Sequence, residues 1–108
     1  MPNVETMEID NQLKRYDNKD DIHQSDVEFF NLIEKISDRR QPNEIARATN
    51  LLLKFGNLRK LKMEQEQNPM KQKSFPKFIL PFYKRAIELG STLFDTKQIE
   101  KLIDELEQ

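Results

Sequence analysis

A chain of 108 residues with no cysteine, 36% apolar and 34% charged side chains and a net charge of −1 has room for one narrow core, and for neither a disulfide nor a thiolate metal site. No apolar run is long enough to cross a bilayer, and the opening MPNVETMEIDNQLKRYDNKDD has no apolar leader core, so a cytoplasmic protein is expected. Only two glycines and five prolines interrupt the chain and long runs lack the alternation of strands, which points to an all-α fold.

The charge is unevenly spread. Residues 1–38 hold four basic and ten acidic side chains, residues 39–85 twelve basic and three acidic, a balance of +9, and residues 86–108 two basic and six acidic. Such a middle segment either faces the acidic ends of its own chain or attracts nucleic acid or anionic lipid.

Residues 1–24 are polar and weakly patterned and are expected to form a mobile tail, with Val4, Met7, Ile9 and Leu13 available for loose docking. Residues 25–108 are expected to form the helical domain. Its first helix opens with Ser25 as N-cap and Glu28 three positions on, a capping box. Phe29, Phe30, Ile33 and Ile36 form the apolar stripe, and Arg39 and Arg40 suit the C-terminus.

Pro42 takes the first position of a second helix, whose stripe is Ile45, Ala48, Leu51, Leu52, Phe55, Leu58 and Leu61 over about twenty residues, or roughly 30 Å. Gly56 in its middle leaves two readings, close helix packing, which is favoured, or a hinge. Asn68-Pro69 breaks the polar connection 64–73. In SFPKFILPFYKRAIELG, Ser74 is the expected N-cap and Gly90 the stop, with Phe75, Phe78, Ile79, Phe82, Tyr83, Ala86 and Leu89 along one side. Pro81 leaves two readings: the main helix starts there, or one helix runs through it. Asp95 then caps a last helix, with Gln98 at the capping-box position, Phe94 placed to staple onto Ile99, and an apolar face of Ile99, Leu102, Ile103 and Leu106. Four amphipathic helices with short connections predict an antiparallel four-helix bundle.

Groups for catalysis are scarce. His23 is the sole histidine and lies in a polar stretch, the serines lack nucleophile-elbow glycines, and the carboxylates lack the spacing of a calcium loop. Neither an enzyme nor a cofactor is expected. Lys54, Arg59, Lys60, Lys62, Lys71 and Lys73 form a basic strip able to neutralise phosphates, so a small nucleic-acid-binding or phage-type regulator is one reading.

A second reading comes from resemblance. Ser74-Phe75-Pro76, then Leu80, Ile87 and Leu89, a short connection to Leu93, then Gln98, Lys101-Leu102 and Glu105-Leu106 are similar to the second half of the immunity proteins against pediocin-like bacteriocins, the enterocin A immunity family. Phe29–Ile36 and Ile45–Leu61 fall where that family has its first two helices, so the resemblance spans roughly residues 26–108. It implies a protein that protects a producer cell from its own bacteriocin by engaging a membrane sugar transporter of the mannose phosphotransferase type once bacteriocin is bound. It also implies recognition in the C-terminal half, where Lys97, Lys101, Asp104, Glu105 and Gln108 lie away from the apolar face of the last helix. Many family members carry a tail beyond that helix, whereas Gln108 here falls almost at its end.

Overall fold

The computed structural model describes residues 3–23 and 25–108. Among them the chain is all-helical, with α1 over Val4–Asp17, α2 over Val27–Arg39, α3 over Pro42–Gln65, the short α4 over Pro69–Ser74, α5 over Pro76–Gly90 and α6 over Lys97–Glu107.

The expected polar tail is instead a helix; Met1, Pro2 and Gln24 of it lie outside the described residues. Asn3 Oδ1 accepts from the Thr6 amide at 2.7 Å and caps α1. Ile9, Leu13 and Tyr16 recur at steps of four and three and are buried, while Val4 and Met7 stay exposed. These three side chains and Ile22 belong to the same core as the rest of the chain, so packing does not divide at residue 24. The expected count of four helices is short by two among the described residues: α1, and the short α4 within the stretch expected to be a polar connection.

The cap of α2 is Asp26 rather than Ser25: the Asp26 carboxylate accepts from the Phe29 amide at 3.0 Å. A full negative charge suits a helix N-terminus better than a hydroxyl. Ser25 Oγ instead meets His23 Nδ1 at 2.6 Å. Arg40 ends α2 in the left-handed region, φ 57° and ψ 32°, with its amide donating to the Ile36 carbonyl.

Ser74 does not cap α5. It closes α4, donating its hydroxyl to the Lys71 carbonyl at 2.6 Å, and the helical backbone of Phe75 carries the chain on into α5. One helix runs through Pro81. Pro81 and Lys77 are both exposed, so the carbonyl left without an amide partner four residues before the proline faces solvent. Gly90 is not a left-handed stop, since no glycine has a positive φ. The N-cap of α6 is Thr96 rather than Asp95, and it makes no side-chain cap bond; Asp95, one position earlier, accepts from the Lys97 amide at 3.0 Å.

Phe29 sits at the centre of the core, its ring within 5.1 Å of Tyr16, 5.5 Å of Phe55 and 6.3 Å of Phe82, and so joins α1, α2, α3 and α5. The most extensive helix pair is α3 with α5. Both glycines of the chain lie in it: Gly56 of α3 against Tyr83 and Phe82, Gly90 of α5 against Thr49. Residue numbers rise along α3 as they fall along α5, so the two run in opposite senses. By the same reasoning α1 runs with α3, because Asp10 meets Arg47 and Tyr16 and Asp17 meet Lys54. The molecule is elongated, 53 × 26 × 18 Å.

Candidate partner-binding surface

Among the described residues, part of the basic middle segment faces its own acidic N-terminal part. Arg39 pairs with Glu5 and Glu44, Arg47 with Asp10 at 2.6 Å and Asp17 at 3.4 Å, and Asp21 with Arg59 at 3.1 Å and Lys62 at 2.7 Å. Lys54 donates to the carbonyls of Tyr16, Asp17 and Lys19 at the C-terminus of α1, where a cation meets the negative end of the helix dipole.

Arg59 is only 7% exposed. Its guanidinium also bonds the Phe55 and Ile22 carbonyls and lies 4.6 Å from the Phe82 ring centroid. Asp21 feels opposing forces. Burial works against its charge, but the Lys62 ammonium, the Ile22 amide and Arg59 outweigh that, and the carboxyl is held below its usual range.

The expected basic strip is therefore split. Lys54, Arg59 and Lys62 are bound to groups of the chain itself, and Lys60 reaches Glu64 at 3.7 Å. Lys71 and Lys73 are exposed on α4. The sequence reading overlooked Asp21 and Ile22 as the groups that hold Arg59; the signal available was the acidic pair Asp20-Asp21 standing before a lone apolar residue in a polar stretch.

The α6 residues fall as expected except Leu102, which is only half-buried. Ile99, Ile103 and Leu106 are buried, and Lys97, Lys101, Asp104, Glu105 and Gln108 are exposed. Among the described residues, Glu107 pairs with Lys84 at 2.9 Å, whereas those five side chains enter no ion pair. Glu105 and Gln108 line one side of a shallow groove of about 340 Å³ whose other side is Met63, Gln72, Lys73 and Pro76. The fold thus brings the last residues of α6 beside Lys73 of the basic strip. The groove's apolar lining is Met63, Pro76 and Leu106, and its charged side chains are Lys73 and Glu105. His23 lies elsewhere, at the loop before α2, with its Nδ1 bonded to Ser25. Among the described residues no cluster of His, Asp and Glu is arranged to hold a metal ion, and no helix is long and apolar enough to cross a membrane.

In comparisons with known proteins, no family model, no curated protein and no solved structure matches this chain.

Proposed function

We propose that this chain is a non-catalytic binding protein of the bacteriocin-immunity kind, which recognises its partner through the solvent face of α6 and the groove beside it. The observation that carries the reading is the division of labour on α6. Three side chains anchor it in the core, and Lys97, Lys101, Asp104, Glu105 and Gln108 are exposed with no ion pair among the described residues, so they can change partners without disturbing the fold. The partner proposed is a membrane sugar transporter of the mannose phosphotransferase type with bacteriocin bound, met from the cytoplasm. The mode of action is stoichiometric: binding favours the closed arrangement of the transporter over the pore-forming one.

The test is expression of the full chain in a bacteriocin-sensitive strain. Resistance to one or a few pediocin-like peptides is expected, and Lys101→Glu or Glu105→Lys should reduce protection with an unchanged melting temperature. No protection against a broad panel, with the protein folded and abundant, overturns the immunity reading. Protection that survives both substitutions removes α6 from the site.

A further inference from the structure

Residues 67–87 contain Lys71, Lys73, Lys77, Lys84 and Arg85 and not one Asp or Glu. Two of these cations are used internally, Lys84 by Glu107 and Arg85 by Glu34 and Glu88. Lys71, Lys73 and Lys77 are exposed and, among the described residues, in no ion pair. Of the nearby carboxylates, Glu64 holds Lys60 and Glu66 accepts from the Asn68 amide, while Glu105 faces Lys73 across the groove without an ion pair among the described residues. Between these lysines and the end of α3 stands Met70, 82% exposed and the most exposed large apolar side chain of the described residues. Leu61 near the end of α3 is 49% exposed.

We propose that Met70 with Lys71, Lys73 and Lys77 is a docking surface for an anionic phospholipid leaflet. Charge complementarity selects an anionic occupant, and the methionine selects among anionic ones. A leaflet accepts an unbranched apolar side chain at the depth where lysine stems extend along it and their ammonium groups reach the headgroups. Nucleic acid receives an apolar wedge such as methionine only at the cost of unstacking a base step, and the rings that would stack on bases, Phe75 and Phe78, are half-buried. Juxtamembrane lysines bind acidic lipid by the same electrostatics. The docking rests on charge and exposure at α4 and the start of α5; it shares Lys73 with the groove beside α6, while Met70, Lys71 and Lys77 lie outside that groove.

The experiment is co-sedimentation of the purified full chain with vesicles of phosphatidylglycerol and phosphatidylcholine, against vesicles of phosphatidylcholine alone. Binding only to the former, weakened by salt, is expected. Replacing Lys71, Lys73 and Lys77 together with Gln should lower the partition constant on the order of a hundredfold, and Met70→Gln should lower it severalfold, with circular dichroism and melting unchanged in both. Absence of binding at low salt, equal binding to neutral vesicles, or undiminished binding by the triple variant each overturns the proposal. So does salt-dependent binding to duplex DNA or to RNA that is tighter than to the vesicles. Protection in cells is a separate readout, so failure here and failure of the immunity reading are distinguishable.

Discussion

Gly56 of α3 lies directly against Tyr83 of α5: a Cβ at Gly56 would stand 2.8 Å from the ring Cε1 and 3.2 Å from Cβ of Phe82. Alanine would favour the helix by about 1 kcal/mol, but Tyr83 has no room to yield. It is fully buried, its hydroxyl is bonded to Asn57 Oδ1 at 2.6 Å, and burial, helped by the charge of Glu64, pushes its phenol up to about 12. Gly56→Ala should therefore cost a net ~1–3 kcal/mol by overpacking, read by urea unfolding. A gain in stability would mean that the two helices can separate at little cost.

Arg40 provides the opposite case. It holds a left-handed backbone, φ 57°, that an L side chain with a Cβ adopts at a cost and glycine does not. Arg40→Gly should raise stability by roughly 0.5–1 kcal/mol, the relief of strain exceeding the added freedom of the unfolded chain. The thermal midpoint checks this.

Leu13 tests the docking of α1. It is fully buried, and Leu13→Ala should destabilise by about 2–5 kcal/mol through lost contact and a residual cavity. A loose tail would tolerate the change with an effect under about 0.5 kcal/mol.

Acid should loosen the same region. Asp10, bonded to Arg47 and Lys14, and Asp21, whose cationic partners outweigh its burial, are both held below the ordinary aspartate range. A carboxyl lowered on folding contributes stability that is complete above its unfolded value and is lost as pH falls through the folded one. The melting temperature should thus drop as pH falls below about 4. Asp21→Asn should lower stability at neutral pH and flatten that acid limb, and salt should narrow the difference between variant and wild type.

The helices that were legible in the sequence are those with a broad apolar stripe. Phe29, Ile33 and Ile36 in α2, or Ile79, Phe82, Tyr83, Ala86 and Leu89 in α5, are buried where periodicity places them. Helix α1 was not legible because only Ile9, Leu13 and Tyr16 of it are buried, while Val4 and Met7 blur the stripe. Around the three buried side chains, its contacts to the rest of the chain are hydrogen bonds and ion pairs to residues thirty or more positions away, which no local pattern contains. The caps slipped for a related reason. Ser25 and Ser74 each have the right chemistry, yet one is taken by His23 and the other by Lys71. On α6 a single narrow stripe decides everything, so its outward residues could be read directly.

The running of α1 alongside α3 has a kinetic consequence. The hydrogen bonds joining the two helices, such as Arg47 with Asp10 and Lys54 with the Asp17 carbonyl, each close a loop of 37 residues, whereas α2 and α3 meet across a short turn. Loop closure makes the distant contacts expensive until the nearer ones exist. We expect α1 to seat last during refolding and to open first in the native state, and amide exchange over residues 4–17 that outpaces global unfolding would record that order.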